Sequence, residues 1–511
     1  MRLALPNVRE FTRAATANVA NRPALGTPLG CSRCPPIKHR QDIAFMADLA
    51  RSDRYCVIGA GASGLAIAKN FKERGIPFDC LEREADLGGL WNIATNSGIV
   101  YETTHLVSAS YSTGYDDLPM GDETYPAYPS HERVLTYFRE YVEMFGFADD
   151  IEFGKNISRV AARDDKLWEV SVVGEQRPRI YRGVVLANGH HDAPRMPKYP
   201  GKFAGEIIHS RQYRSPRQLR DKRILVVGCG NSAADIVSDA VHGSSRVLMS
   251  LRRGYWFVPK FMLGFPTHDV VSWVEFFPLP RLLKPWLFQA SLWVLQGPPS
   301  RYLLPDPDYS IDQAHPTMSD EIPRLSAHGR ITVKPEIARY DGNRVVFKDG
   351  SSETADMIIF ATGYEPVVPF VDEDLVYDAG GRSRFYLRVV HPEHPGLFAA
   401  GLVQANGSMW RLADYQGQLI ANLIIAEAKA PERAKRFRAG MSANDERLPP
   451  GMFLASDRHR LEANYYDYRQ LLKRHIRRFG PVRNMRLQPV GAGRAQPSKA
   501  RRSEPAEEMA S

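Results

Sequence analysis

The sequence predicts an α/β fold built on two Rossmann-like dinucleotide-binding units, on three observations. Arg54-Tyr-Cys-Val-Ile58 reads as a strand and runs into Gly59-Ala-Gly61-Ala-Ser63-Gly64, which opens a helical stretch to about Arg74. The same strand–turn–helix text returns about 170 residues later, as Arg223-Ile-Leu-Val-Val227, then Gly228-Cys-Gly230-Asn231-Ser232-Ala233, then Ala234–Val241. A third strand, Met357–Phe360, leads into Ala361-Thr362-Gly363-Tyr364 and reads as a return to the first unit.

Each glycine of the first turn has its own job. The first permits a tight turn, the second lets a pyrophosphate approach the backbone, and the third lets helix and strand pack closely. The pyrophosphate then meets a helix N-terminus, where free N–H groups and the helix dipole favour an anion. The second strand, Phe78–Leu81, ends at Glu82, 18 residues after Gly64. A carboxylate at that distance accepts hydrogen bonds from the ribose hydroxyls of an adenosine. Soon after it, Gly88-Gly89-Leu90-Trp91 offers bare backbone and a flat ring to a ligand, so this unit is predicted to hold FAD.

The second turn ends differently. No acid follows its next strand, Arg246–Leu251; Arg252 and Arg253 stand 24 and 25 residues after Gly228. An acid there repels the 2′-phosphate of NADP, whereas an arginine pairs with it, so NADPH is predicted rather than NADH. Ser232 is placed to hydrogen-bond the pyrophosphate. The plainer alternative is two solvated arginines at a strand end.

Composition bounds the rest. With 511 residues, 43% hydrophobic and 24% charged, the chain has core enough for two or three domains without disulfides. Cys56, Cys80 and Cys229 lie in strand or turn text and read as buried thiols. Cys31 and Cys34 form a lone CxxC with no second ligand pair, so no metal site is predicted. The net charge is +9, but residues 1–50 and 481–511 carry +7 of it, which argues against a nucleic-acid surface. Pro285–Ser300 is uncharged for only 16 residues, short of the roughly 20 that span a membrane. It belongs to an aromatic- and proline-rich stretch, Tyr255–Tyr302, that reads either as a helical subdomain with its own core or as a substrate entry. An apolar entry favours a hydrophobic substrate or a weak membrane contact. The first 40 residues contain Glu10 as their only acid and resemble a transit peptide. The plainer reading is an unstructured extension of a cytoplasmic protein, with Met46 a sensible start.

Between the two turns stands Phe203-Ala-Gly205-Glu-Ile-Ile-His209-Ser-Arg-Gln-Tyr213. This FxGxxxHxxxY run resembles the signature of the flavin-containing monooxygenase family, class B flavoprotein monooxygenases. GGLW at 88–91, Gly189-His-His191, ATGY at 361–364 and Gly401-Leu-Val-Gln404 agree with it, over about residues 52–475. The resemblance implies an FAD domain (51–195 and 339–430) interrupted by an NADP domain (196–338) with an apolar helical insertion at about 255–302. A helical segment at 431–480 and a disordered tail at 481–511 follow. It implies that Gly59, Gly61, Ser63, Gly64, Glu82, Gly89, Leu90, Trp91, Thr362, Gly363 and Gly401 face FAD. Gly228, Gly230, Asn231, Ser232 and Arg252 or Arg253 would hold NADPH. His209 and Tyr213 would act in catalysis or couple the domains. The family's usual flavin-facing Asn falls on Val107 here, and neighbouring Ser108 is expected to replace it. The implied activity is NADPH- and O2-dependent oxygenation of a soft nitrogen or sulfur nucleophile through a C4a-hydroperoxyflavin. Of three rivals, the second is rejected and two stay open. Baeyer–Villiger enzymes usually carry Trp where this chain has Tyr213. A flavin disulfide reductase needs a redox cysteine pair, and only Cys80 is near. An NADPH oxidase or degenerate nucleotide-binding flavoprotein is kept open by Val107.

Overall fold

The computed structural model describes residues 51–121, 124–276, 283–443 and 461–487. The N-terminal extension, the Cys31/Cys34 pair and the tail beyond 487 lie outside the described residues. Strands buried on both faces need no polar alternation, and the short apolar runs of this chain accordingly form parallel sheets. Strands and helices are numbered here in chain order. The first sheet contains β1 (Tyr55–Ile58), β2 (Phe78–Leu81), β3 (Ile151–Glu152) and β4 (Gly183–Leu186). The second contains β5 (Glu206–His209), β6 (Arg223–Val227), β7 (Arg246–Ser250), β8 (Thr332–Lys334) and β9 (Met357–Phe360). A late strand, β10 (Leu397–Ala399), completes the first. The orders are β10-β4-β1-β2-β3 and β8-β7-β6-β9-β5, all parallel.

The two sheets are copies of one design. The central strand, β1 or β6, is followed by a helix, α1 (Ala62–Arg74) or α3 (Asn231–Ala240), and then by its neighbour on one side. Each unit then builds a three-stranded antiparallel sheet, with strands at 157–162, 168–172 and 179–181 or at 337–341, 344–347 and 352–354. Only then does the chain return to the other side of the central strand, as β4 or β9. That reversal opens a crevice at the carboxyl ends of the strands.

Met357–Phe360 does not return to the first unit, as the sequence suggested. It pairs with β6 from Ile224↔Met357 to Val227↔Phe360 and with β5, and so closes the second sheet. Residues 337–347 stay there too: Ile337, Tyr340, Val345 and Phe347 share one core with Leu225, Val227 and Leu248. The return comes at β10. Four apolar residues carry no mark of which sheet they join; the repeated antiparallel unit just ahead of them does.

Helix α2 (His131–Phe145) and the long helix α6 (Met409–Lys429) pack against α1. Gly417 admits that approach, because a Cβ there would meet the Ala66 carbonyl at 3.3 Å and Asn70 Nδ2 at 2.9 Å. Inside the contact Lys69, 3% exposed, lies 2.7 Å from Asp414 and also pairs with Asp117. Burial disfavours its charge, yet the two aspartates outweigh that and raise its pKa. The insertion carries α4 (Thr267–Phe276) and α5 (Leu283–Leu295) and is longer than expected. It closes only at Met318, through the pairs Phe257↔Thr317 and Val258↔Met318. Helices α7 (Pro431–Ala443) and α8 (Tyr465–Arg478) follow, and residues 481–487, expected in the disordered tail, stay on the fold: Val482 is buried and Leu487 N–H donates to the Arg74 carbonyl at 2.9 Å. Among the described residues no helix is long and apolar enough to cross a membrane.

A Cβ at Gly64 would sit 1.8 Å from the Gly59 carbonyl oxygen, whereas one at Gly243 meets nothing within 4 Å. Gly64→Ala is therefore expected to destabilise the fold by about 1–3 kcal/mol through overpacking. Gly243→Ala should stay within about 0.5 kcal/mol of the parent. Thermal unfolding of the two variants side by side checks this.

Candidate active site

The first turn begins where β1 ends. Gly59, at φ +105°, donates its N–H to the Leu81 carbonyl at 2.8 Å. Gly61 then starts α1 with no side-chain cap and no acid in the first turn, which leaves the helix N–H groups open to an anion. The GGLW segment lies directly on this turn: Gly88 N–H donates to the Ala60 carbonyl at 3.0 Å. A Cβ on Gly89 (φ +52°) would meet Gly61 Cα at 3.0 Å. Glu82 is buried, and its carboxylate accepts from Ala60 N–H at 2.7 Å and from Glu84 N–H at 2.9 Å. Burial raises its pKa while these two bonds pull it down. A carboxylate has about four lone-pair sites, so two remain for ribose hydroxyls. Leu90 and Trp91 are half-buried, and Trp91 meets Trp410 edge-on with ring centres 6.0 Å apart.

Gly401 seals the same corner. At φ +74° it packs on Ser63, whose Oγ stands 2.1 Å from where a Cβ would be. Its N–H donates to Gln416 Oε1 at 2.9 Å, and Gln416 is held in turn by Tyr468 at 2.8 Å. The Gly401 carbonyl contacts His190 Nδ1 at 3.1 Å. Because a carbonyl only accepts, Nδ1 carries the proton. Burial depresses the His190 pKa to about 4, which keeps the ring neutral near pH 7.

The second turn repeats the first. Gly228 (φ +122°) donates to the Ser250 carbonyl at 3.1 Å. Gly230 starts α3, again with no side-chain cap and no acid in the first turn. Ser232 is exposed at the helix start. Asn231 is partly committed elsewhere, since its Oδ1 accepts from Met318 N–H at 2.9 Å. Thr317 donates to the Cys229 carbonyl, so Thr317–Met318 straps the turn from outside. Beyond β7, Leu251 is buried and Arg252 is exposed. Among the described residues no carboxylate pairs with Arg252. Arg253 lies over the Tyr309 ring, 4.7 Å from its centre.

Two crossing segments join the turns. Ala187 leaves β4 against the first, its N–H donating to the Ile58 carbonyl at 3.1 Å; Ala361 leaves β9 against the second, donating to Val227 at 2.9 Å. The segments then pair with each other, Tyr364↔Pro194 and Glu365↔Ala193. Arg195 N–H donates to the Gly363 carbonyl at 3.0 Å, and Thr362 Oγ1 donates to the Arg195 carbonyl at 2.5 Å. The carboxyl ends of both sheets are thereby held together at one place. Thr362 and Gly363, expected at the flavin, serve this joint.

The three residues proposed for catalysis are engaged in structure. Tyr213 is fully buried in the core of the second unit and donates to Asp239 Oδ2 at 2.7 Å, away from the turns. His209, 2% exposed, accepts from Arg211 N–H through Nδ1 at 3.2 Å and donates from Nε2 to the Gly363 carbonyl at 3.1 Å. Both ring nitrogens are spent on backbone, so its role is coupling. Ser108 Oγ is 2.7 Å from Thr113 Oγ1, which fixes it within its own loop. Some positioning residues went unread. Ala187-Asn-Gly189 matches Ala361-Thr-Gly363, with Gly189 and Gly363 at φ +74° and +83°. That repeat was visible in the text. The Thr317–Met318 strap and Gln416 carry no local signal.

Comparison with known proteins agrees with this geometry. A family model described as flavin-binding monooxygenase-like matches residues 52–487. The chain is 30% identical over 438 residues to dimethylaniline monooxygenase [N-oxide-forming] 2 of Rattus norvegicus, covering 81% of each chain. In fold it is similar to an S-allyl-L-cysteine S-oxygenase from Allium sativum (TM-score 0.58, 20% identity, 83% of this chain and 88% of the other). It is similar too to an oxidised steroid monooxygenase bound to NADP (TM-score 0.61, 17% identity, 82% and 96%).

Tyr213→Phe separates packing from catalysis. Asp239 would lose one of its two hydroxyl partners, the other being Thr103. The expected outcome is a loss of about 1–3 kcal/mol in stability, with turnover per folded, flavin-loaded molecule unchanged. A large fall in that turnover at unchanged stability would return Tyr213 to the chemistry.

Proposed function

The chain belongs to the flavin-binding monooxygenase-like family, and on that premise we propose that it is an NADPH- and O2-dependent FAD monooxygenase. Its substrate on this reading is a small, hydrophobic molecule with a soft nitrogen or sulfur nucleophile. One observation carries the reading: two uncapped helix N-termini, each beneath a glycine turn, tied at one joint by paired crossing segments. The residues fit the two dinucleotides. Bare Cα surfaces of Gly61 and Gly89 face each other where a side chain on Gly89 would intrude. Gly59, Gly61, Ser63 and Gly64 would hold the FAD pyrophosphate, Glu82 its ribose, and Leu90, Trp91 and the Gly401 corner the rest. Gly228, Gly230, Asn231 and Ser232 would hold the NADPH pyrophosphate, and Arg252 its 2′-phosphate, with Arg253 beside it.

When bound, FAD accepts hydride from NADPH and activates oxygen. The chain's part is to orient the rings and exclude water. The aromatic wall of Trp91, Tyr115 and Tyr137, each with its ring centre 5.8–6.1 Å from that of Trp410, would do the second. Neutral His190 and His191 place no fixed charge beside the Gly401 corner, because burial lowers both pKa values.

The insertion supports the hydrophobic part of the reading and a weak membrane contact. Of the 18 exposed large hydrophobics among the described residues, 11 lie between Phe261 and Leu303, including Trp273, Trp286, Trp293 and Val294. Half-exposed tryptophans on an apolar helix suit a lipid–water boundary. Wild-type protein is expected to sediment with phosphatidylcholine–phosphatidylglycerol vesicles, and Trp286→Asp/Val294→Asp to remain in the supernatant. Equal partition of the two would exclude this contact.

The activity is tested with FAD-loaded protein, NADPH, oxygen and thioanisole or N,N-dimethylaniline. One sulfoxide or N-oxide per NADPH is expected; hydrogen peroxide equal to all NADPH consumed, with no oxygenated product, refutes the proposal. Arg252→Ala should raise the KM for NADPH by about 10- to 100-fold, as loss of a charge-assisted hydrogen bond demands, and leave that for NADH unchanged.

A further inference from the structure

The apolar insertion of the second unit also touches the first. The Tyr128 hydroxyl donates to the Lys260 carbonyl at 2.5 Å, and its ring meets Phe261 edge-on at 5.4 Å. Ser272 Oγ lies 3.0 Å from the Tyr466 hydroxyl. His315 Nε2 lies 2.5 Å from Glu462 Oε2. This last contact is the most enclosed, with side chains 20% and 1% exposed.

Its place in the chain gives it reach. Two residues after His315, Thr317 and Met318 strap the second glycine turn. On the other side Glu462 and Ala463 pair in parallel with Gln404 and Ala405, just beyond the Gly401 corner that rests on Ser63. The contact thus closes one path from the first turn to the second: Ser63, Gly401, Gln404, Glu462, His315, Thr317, Cys229. The joint formed by the crossing segments is a separate route between the same two turns. A second route beside that joint restricts hinging of one turn against the other.

Stability does not account for the pair. Among the described residues neither Glu462 oxygen nor His315 Nε2 makes a well-aligned hydrogen bond. A buried carboxylate held this way gains little against its desolvation. What the contact does supply is a hard stop between two bodies. We propose that Glu462 and His315 are a positioning pair that sets the distance between the two dinucleotide turns, and so the approach of nicotinamide to flavin, in the reaction proposed above, on which this role rests.

Hydride transfer is sensitive to that distance, since a misplacement of about 1 Å costs roughly 100-fold in rate. FAD-loaded wild type, Glu462→Ala, His315→Ala and the double variant, which remove the bulk of the contact, are mixed anaerobically with NADPH, and flavin bleaching is followed. Each single variant should be reduced about 10- to 100-fold more slowly, with an NADPH affinity within about threefold of wild type. The double variant should be no slower than either single one, because the two residues act as one contact. A second readout involves no turnover: the long-wavelength charge-transfer absorbance that NADP+ induces in dithionite-reduced protein should weaken in all three variants. Single variants reduced as fast as wild type, additive losses, an undiminished charge-transfer band, or slowing that follows lost FAD would each overturn the pair. A wild-type flavin that NADPH fails to bleach would instead sink the proposed function, and the pair's role with it.

Discussion

At each glycine turn a carbonyl oxygen of the crossing segment leaves no room for a side chain on the first glycine. The Ala187 oxygen stands 2.8 Å from where a Cβ on Gly59 would be, and the Ala361 oxygen 2.5 Å from one on Gly228. The chain leaving the strand across the switch point therefore rides on the glycine turn itself. Everything nearby follows from that closeness. Two residues on, Gly189 and Gly363 take left-handed conformations that turn the chain toward the other unit. The crossing segments can then pair, and His209 can brace Gly363 from the linker side. A methyl group at either turn would lift the crossing segment, and the two crevices would lose their common wall.

The helix ends show where the fold forgoes local satisfaction. Helix α6 is capped by Ser408, which accepts from Arg411 N–H, and α8 by Asn464, which accepts from Tyr466 and Asp467 N–H. Capping is the usual answer to orphaned N–H groups and contributes about 1 kcal/mol. Helices α1, α2 and α3 lack it, and of these α1 and α3 follow glycine turns. Their stability comes from burial instead. Helix α1 hides eight consecutive residues from Gly64 to Phe71, with Lys69 neutralised inside the contact with α6. Packing on the flank leaves the N-terminus free for an anion.

How much of this the sequence discloses depends on whether a feature is local. Both turns, their strands and helices, Glu82 and the GGLW segment are short-range patterns, and each stands where the text puts it. The assignment of Met357–Phe360 to the first sheet was wrong because sheet membership is a long-range property, settled by pairing with Ile224–Val227. For Tyr213 and His209 the sequence left catalysis and domain coupling both open for a related reason. A fixed spacing tells that residues matter without telling what they touch, and here they touch Asp239 and Gly363. The Thr317 strap and the Glu462 contact join positions 88 and 147 residues apart with no periodicity between them. No reading of neighbours in sequence reaches them.

The opposite charge preferences of the two sites come from one structural position and the residue after it. Gly59 N–H donates to Leu81 and Gly228 N–H to Ser250, which makes Glu82 the counterpart of Leu251 and Arg83 that of Arg252. The first unit puts a carboxylate where the proposed function would place the FAD ribose and removes the next arginine from play: Arg83 grips Asp192 through two hydrogen bonds of 3.0 Å. The second unit buries an apolar residue where the acid was and leaves Arg252 exposed, with no carboxylate beside it among the described residues. Had Arg252 a partner like Asp192, its charge would be spent and a 2′-phosphate would meet no net attraction. Had Leu251 been Glu, the phosphate would be repelled outright. On the proposed function, selection between the two dinucleotides would need no difference in fold, only an exchange of acid for leucine and an arginine left unanswered.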